Sequence, residues 1–188
     1  MDEYWENKIE EVIKETRVKF GIGFQKRFSW PEKRIKELIP LLGEPKAGRI
    51  INVHASYSRN KENWFGNFEA CGGYTLDAMI HFFDLLRWYF GKVKSVQAEG
   101  LLLSPNLPEP MDYTFANLNF ESGFFASVEG GWIRRGVPIN NYFYLVGTKG
   151  TLYSDDSGVI IDPSEETTLF KERTKEIAAY CIERWWDE

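Results

Sequence analysis

Three ionisable side chains lie close together within an apolar stretch of the sequence. Residues 71–91 read CGGYTLDAMIHFFDLLRWYFG, and this stretch carries Asp77, His81 and Asp84. Spacings of four and seven residues place all three groups on one face of an α-helix. A carboxylate one turn before an imidazole can orient the ring and tune its basicity. The spacing therefore predicts proton-transfer chemistry at Asp77 and His81.

Each of these side chains also has a plainer structural explanation. The helix dipole stabilises a carboxylate in a first turn, which would account for Asp77, and a lone histidine on an apolar face is commonly a hydrogen-bonded core residue. For Asp84 we favour a structural role, either an ion pair with Arg87 or the capping of a nearby loop. A metal site of Asp77, His81 and His54 is weakly supported, since Asp-x-x-x-His supplies only two ligands. We predict no metal site.

Composition limits the classes of protein to which the chain can belong. Its 188 residues are 43% hydrophobic, 16% aromatic and 27% charged, as is typical of a folded globular protein. A net charge of -5, without a clustered basic patch, argues against nucleic-acid binding. The two cysteines are too few for a disulfide scaffold, and no apolar run approaches membrane-spanning length. We therefore expect a soluble, cytoplasmic protein that binds neither nucleic acid nor a membrane.

Hydrophobic periodicity predicts helices early in the chain and strands after residue 48. Residues 2–16 and 29–42 have helical spacing, and residues 18–24 alternate as a strand does. A closing helix of about twenty residues is predicted from Ser164, with Phe170 on its apolar stripe. The other predicted strands cover residues 50–57, 93–103, 113–120, 124–132, 141–146, 151–154 and 159–161. Turns that contain glycine, at residues 121–123, 148–150 and 156–158, join the later strands.

This order of elements predicts an α+β fold, with a mostly antiparallel open sheet and helices on one face. The opening helix, strand and helix are typical of the end of an α/β domain. We therefore assign residues 1–30 to a remnant of such a domain and residues 31–188 to the α+β domain. Because many aromatic and apolar residues fall on strands, we expect a homo-oligomer that forms through the other sheet face.

The stretch around Asp77 resembles a signature in the C-terminal domain of the glucose-fructose oxidoreductase and inositol dehydrogenase (Gfo/Idh/MocA) family. That signature is a Gly-Gly pair, then Asp-x-x-x-His-x-x-Asp, then a helix with Leu and Trp that ends in Gly. The chain supplies Gly72, Gly73, Asp77, His81, Asp84, Leu85, Leu86, Trp88 and Gly91. Segments 23–28, 48–50, 121–123 and 146–152 agree in order, so the resemblance covers about residues 18–155.

Members of that family join an N-terminal Rossmann domain, which binds NAD or NADP, to a second domain that supplies most of the substrate pocket and the oligomer contact. The resemblance implies that Asp77 and His81 are catalytic, with His81 as base or acid at a substrate hydroxyl or carbonyl. A lysine of a Glu-Lys-Pro motif in the first domain assists. We assign substrate contacts to Trp64, His54 and Tyr74. A packed flap is an equal alternative for the Trp64 loop, and a solvated strand face is the alternative for His54.

Two motifs of the family's first domain do not occur in the sequence. Gly21-Ile22-Gly23 is followed by Phe24, Gln25 and Lys26 rather than by a third glycine, and Glu-Lys-Pro is missing. We therefore expect a domain outside this chain to bind NAD or NADP, and the chain alone to bind no cofactor and transfer no hydride.

Two hypotheses about function follow. In the first, the chain is the substrate-binding and oligomerising domain of an NAD(P)-dependent oxidoreductase that acts on a sugar, polyol or related hydroxylated small molecule. In the second, it is a stand-alone, non-enzymatic module that binds sugars or oligomerises and retains the scaffold.

Overall fold

The computed structural model describes residues 3–55, 64, 67–103, 111–133, 139–155, 158–163 and 170–173. The strands are β1 (Pro45–Ala55), β2 (Val93–Leu101), β3 (Tyr113–Phe120), β4 (Phe125–Ile133), β5 (Ile139–Gly147), β6 (Gly150–Asp155), β7 (Gly158–Pro163) and β8 (Phe170–Arg173). The α-helices are α1 (Glu3–Thr16), α2 (Trp30–Leu38), α3 (Phe68–Cys71) and α4 (Ile80–Phe90). Two 3-10 helices, Gln25–Phe28 and Ile39–Leu42, and a π-helical turn, Thr75–Met79, complete these elements.

All eight strands belong to one open sheet, in the order β2-β3-β4-β1-β5-β6-β7-β8. Neighbouring strands are antiparallel except for β1 and β4, which run parallel. Because β1 lies between β4 and β5, the chain must cross the sheet between β1 and β2, and this crossing contains α3, the π-helical turn and α4. The predicted α+β class and mostly antiparallel sheet are confirmed.

Helices cover one face of the sheet. On β3, Thr114, Ala116, Leu118 and Phe120 are buried while the residues between them are more exposed, as expected for a strand with one covered face. The covering helices are α2, which buries Ile35 and Leu38, and α4, which buries Phe82, Leu85 and Leu86. The Phe90 ring stacks on Phe124 with 3.7 Å between centroids. Burial of each such large apolar side chain contributes about 1.5–3 kcal/mol.

The second predicted helix has a different ending from the one expected. It is α-helical only to Leu38 and continues as a 3-10 helix through Leu42. Pro40 lacks the N–H that the next α-helical hydrogen bond requires, which explains the change. The chain then leaves the helix at Gly43, which has a φ of 71°.

Two predicted elements are wrong where the structure describes them. Residues 18–24 form no strand, because no described strand lies beside them to complete the hydrogen bonds, and Val18, Phe20 and Ile22 are exposed. Within the predicted closing helix, Phe170–Arg173 is instead β8 and pairs with β7. The edge of β7 offers unpaired backbone groups, and this pairing overrides the helical spacing. The remainder of that prediction, residues 164–169 and 174–188, lies outside the described residues.

Within the part of the chain described above, no helix has both the length and the apolar character needed to span a bilayer.

Candidate active site

Asp77 and His81 lie on two consecutive helical elements. Asp77 belongs to the π-helical turn Thr75–Met79, and His81 is the second residue of α4. The sequence predicts an ordinary α-helix here, so the π-helical turn is a correction to the expected local geometry. Such turns are rare and are frequent at functional sites. No signal in the sequence indicates this wider turn.

The Gly-Gly pair sets the direction in which the chain enters the π-helical turn. Gly72 and Gly73 have φ values of 72° and 70°, in the left-handed region that favours glycine. The Gly72 N–H donates to the Phe68 carbonyl at 2.7 Å and closes α3. A Cβ on Gly72 would lie 2.6 Å from Leu76 Cδ1. The pair is therefore required by the backbone itself, without any contact to a ligand.

His81 is a half-buried histidine beside an aromatic ring. Its Nδ1 is buried without a hydrogen-bond partner among the described residues, and its ring meets Phe24 edge-on, with 6.1 Å between centroids. Burial and the positive charge of Lys26 lower the pKa of His81, while the negative charges of Asp77 and Asp84 oppose this change. The imidazole is thus neutral at neutral pH and can accept a proton.

Asp84 is held in an ion pair on the same helix. Arg27 Nε donates to Asp84 Oδ2 at 2.6 Å, and a second guanidinium nitrogen bonds Oδ1. The Asp84 side chain is only 6% exposed, and its hydrogen bond raises the pKa of Arg27. A structural role for Asp84 is therefore observed, but its partner is Arg27, 57 residues earlier, rather than the predicted Arg87.

Tyr74 is buried against the end of β1. Only 1% of the residue is exposed, and its hydroxyl lies 2.5 Å from both the carbonyl oxygen and Oδ1 of Asn52. Its ring centroid is 5.3 Å from that of Trp132 and 6.4 Å from that of His54. Burial raises the pKa of Tyr74 far above its usual range, with contributions from the charges of Tyr113 and Asp77. The Tyr74 ring thus lies beside His54, and its hydroxyl bonds the Asn52 residue of β1.

The strand that carries His54 is irregular at this point. The pairing of β1 with β5 shifts register between Ile51 and Val53, at Asn52. Bulges of this kind are common beside active sites because they re-aim side chains. His54 is half-buried and stands opposite Trp132 of β4. Its position on the covered face agrees with a pocket-lining role, which stays a prediction.

Trp64 is exposed by 51%. Its carbonyl accepts a hydrogen bond from the N–H of Asn67 at 3.1 Å, and Asn67 caps α3. A ring contact links His54 to Tyr74, and the charge of Asp77 acts on both Tyr74 and His81. Trp64 is linked by its carbonyl to Asn67, the residue that caps α3. The substrate contacts assigned to Trp64, His54 and Tyr74 stay predictions.

No group of three or more His, Cys, Asp or Glu side chains in the described parts of the chain could hold a metal ion. Gly21 and Gly23 lie in a segment without regular secondary structure that leads into a 3-10 helix, and not at a turn from a strand into an α-helix. These two glycines therefore lack the setting of a phosphate-binding loop.

The structure thus combines an open sheet, helices over one face of it, and an Asp and a His on the segment that crosses that face. A family model described as the GFO/IDH/MocA C-terminal domain matches residues 35–153. This match covers more than half of the 188 residues. The chain therefore belongs to the GFO/IDH/MocA family of oxidoreductases, and the matched region is its C-terminal domain.

Individual relatives agree with this assignment. The uncharacterized oxidoreductase YrbE of Bacillus subtilis (strain 168) is 28% identical over 154 residues, which are 78% of this chain and 43% of the relative. An oxidoreductase from Agrobacterium radiobacter, solved with NAD+, L-tartaric acid and magnesium, superposes with a TM-score of 0.72 at 16% identity, over 88% of this chain and 49% of that chain.

An NAD-binding oxidoreductase from Klebsiella pneumoniae superposes with a TM-score of 0.73 at 19% identity, over 93% of this chain and 52% of that chain. The two structural likenesses show the fold. The chain spans about half the length of the relatives it matches.

Proposed function

We propose that this chain is the substrate-binding domain of an NAD(P)-dependent oxidoreductase, with His81 as the residue that exchanges a proton with a substrate hydroxyl or carbonyl. The observation that carries the proposal is the half-buried imidazole of His81, four residues after Asp77, whose negative charge acts on it. A general base works best when it is unprotonated at the working pH and a neighbouring carboxylate can stabilise its charged form.

The chemistry divides between two parts of the enzyme. Oxidation of an alcohol removes a proton from the hydroxyl oxygen and a hydride from the carbon. The proton passes to His81, and Asp77 stabilises the imidazolium that forms. The hydride acceptor, a nicotinamide dinucleotide, is supplied by a domain outside the described residues. The family assignment and the relatives solved with NAD+ support this division.

The substrate class that we propose is a sugar, a polyol or a related hydroxylated small molecule. The exposed indole of Trp64 offers a flat apolar surface on which a sugar ring can stack. His54 adds a hydrogen-bonding group on the covered face of β1. Tyr74 and Asn52 are engaged with each other, so their contribution is to hold His54 in place.

The decisive experiment measures dehydrogenase activity in a protein that joins this chain to a nucleotide-binding domain of the family. With a panel of sugars and polyols, reduced nicotinamide should form, and His81→Ala should lower kcat by about 10²–10⁴-fold. His54→Ala is the matched control and should act mainly on KM. Activity that survives in the His81→Ala variant would mean that the base is assigned wrongly.

A simpler measurement tests the location of the cofactor site. The chain alone should show no thermal shift with NAD or NADP, since the described glycines form no phosphate-binding loop. Weak stabilisation by polyols is the expected result for the substrate side. Cofactor binding at micromolar concentration or tighter would contradict the proposal that another domain holds the dinucleotide.

We also propose that the chain forms a homo-oligomer through the uncovered face of its sheet. On that face the rings of Tyr113 and Phe115 lie 5.2 Å apart between centroids, and Phe115 and Phe125 are 38% and 40% exposed. Exposed aromatic side chains on a sheet face are commonly found at contacts between subunits.

A further inference from the structure

Three contacts join residues 24–27 to the part of α4 that carries His81. The Phe24 ring meets the His81 ring edge-on, with an interplanar angle of 87°. Lys26 Nζ lies 4.9 Å from the centroid of the Phe82 ring. Arg27 forms its two-bond ion pair with Asp84. The proton-transfer role proposed for His81 does not by itself explain why one short segment contacts residues 81, 82 and 84.

We propose that residues 24–27 are a positioning element for His81, in which Phe24 and Arg27 fix the place of the imidazole and Lys26 keeps a cation beside it. This inference rests on the proposed function, because it adds positioning residues to the proton-transfer role of His81. None of these side chains is required to touch the substrate.

The ion pair fixes how the segment and the helix are oriented. Two hydrogen bonds between a planar guanidinium and a carboxylate define a direction as well as a distance. Asp84 lies three residues after His81, so the two side chains project from nearly the same side of α4. Any rotation of α4 relative to the segment would break the pair and leave a buried carboxylate without its counter-ion, which is unfavourable.

Lys26 supplies the electrostatic part of the positioning element. The charges that act on His81 are those of Lys26 on the 3-10 helix, Asp77 on the π-helical turn and Asp84 on α4. Two further charged groups contact these: Arg27 on the 3-10 helix and Glu32 on α2. Arg27 neutralises Asp84 by direct pairing, and Glu32 Oε1 lies 4.0 Å from Lys26 Nζ. Burial raises the pKa of Glu32, and the charge of Lys26 opposes that rise.

The composition of the chain makes a sharp test available. It contains only two histidines, so an NMR titration of the imidazole C–H signals yields two curves, and His54→Gln assigns them. In Lys26→Met, the His81 midpoint should rise by about half to one pH unit, since a nearby cation no longer opposes protonation. The His54 midpoint should stay constant and serves as the internal reference.

Three further variants separate charge, position and general effects. Lys26→Arg keeps the cation and should leave the His81 midpoint near its original value. Lys33→Met is the matched control, because Lys33 Nζ also lies over a ring, that of Phe28, at 5.9 Å; it should leave His81 unchanged. Arg27→Met should raise the His81 midpoint, because Asp84 then keeps its full negative charge. If Arg27→Met fails to fold, Arg27→Gln provides the same test, because it also removes the positive charge and keeps a hydrogen-bond donor for Asp84.

An unchanged His81 midpoint in folded Lys26→Met would overturn this inference. It would leave the proposed function intact, since that depends on the loss of activity in His81→Ala. The reverse result, a shifted His81 midpoint in Lys26→Met together with full activity of the His81→Ala variant of the joined enzyme, would support the positioning element and contradict the catalytic role.

Discussion

At the scale of single residues, Tyr74 and Asn52 hold β1 beside the candidate site. The Tyr74 hydroxyl is the donor for two oxygens of Asn52, and both residues are at least 98% buried, with exposures of 1% and 2%. Tyr74→Phe removes that donor from a buried position and should lower the free energy of unfolding by about 1–3 kcal/mol. Urea unfolding followed by circular dichroism measures the loss.

Tyr153→Phe is the control for that substitution. Its hydroxyl donates to the Asp155 carboxylate within a short local pair, and hydrogen bonding to Asp155 raises the pKa of Tyr153 to about 12. A pair of this kind nearer the surface should contribute less than about 1 kcal/mol. Equal losses in the two variants would show that the Tyr74 hydroxyl has no special importance.

Gly130 of β4 lies opposite Asn52 and packs against the Tyr74 ring. A Cβ there would lie 2.6 Å from the Asn52 carbonyl oxygen and 2.7 Å from Tyr74 Cε1. Gly130→Ala should therefore overpack the site and cost about 1–3 kcal/mol in urea unfolding. In Gly21→Ala the new methyl meets no atom within 4 Å, so stability should change by less than about 1 kcal/mol. A Gly130→Ala variant as stable as the parent would contradict the close packing around Tyr74.

At the scale of elements, local patterns were sufficient where one face of an element is buried. The alternation along β3 and the apolar stripe of α4 are repeated in the burial of those elements. The sequence also indicated Asp77 and His81 as neighbours on one helical stretch. It did not indicate the partner of Asp84, because Arg27 is distant in the chain and only the packing of the 3-10 helix on α4 brings the two together.

Residues 18–24 show why a local pattern can be insufficient. Their alternation is that of a strand, but a strand needs a neighbour, and no described strand supplies one. Val18, Phe20 and Ile22 thus have the alternating spacing of a strand, but they are exposed and form no strand. The same argument applies in reverse to β8, where an available sheet edge produces a strand despite helical spacing.

The exposure of this segment leads to a prediction about its role. Replacing Val18, Phe20 and Ile22, which are 55%, 58% and 63% exposed, by serine should change the stability of the chain alone by less than about 0.5 kcal/mol per substitution. The same triple variant should lower the thermal stability of the joined enzyme, because we expect the segment to pack against the nucleotide-binding domain there. Thermal unfolding of both proteins measures the difference.

Leu118→Ala is the reference for that experiment. Leu118 is 3% exposed on the covered face of β3, so its truncation should cost about 2–5 kcal/mol in both proteins. If the triple serine variant destabilised the chain alone to a similar extent, the segment would be part of this domain's own core.

At the scale of the whole molecule, the two faces of the sheet carry different groups of side chains. The covered face carries α2, α4 and the candidate site, with His54 and Asn52 on the central strand β1. The uncovered face carries Phe115 and Phe125 together with an Arg49–Glu129 ion pair. An assembly through the uncovered face would therefore not cover His54, Asp77 or His81, which lie on the other side of the sheet.

That separation makes the oligomer testable without disturbing the site. Light scattering on the eluted protein should show a dimer or larger assembly at micromolar concentration, and Phe115→Glu should shift it towards monomer. A carboxylate in the middle of an apolar contact would lose its water without gaining a partner. Phe28→Glu is the matched control: Phe28 is more exposed, at 74%, but lies on the 3-10 helix away from the sheet.

The comparison of the two phenylalanines decides which surface associates. Loss of assembly only in Phe115→Glu would assign the contact to the uncovered sheet face, whereas equal loss in both variants would indicate non-specific association of exposed apolar groups. A parent chain that is monomeric at micromolar concentration would contradict the proposed contact outright.

The polar groups on the same face are paired within the subunit. The Tyr113 hydroxyl donates to Glu129, which also pairs with Arg49. Because these groups already satisfy one another, a second copy can cover them at little cost in unpaired charge.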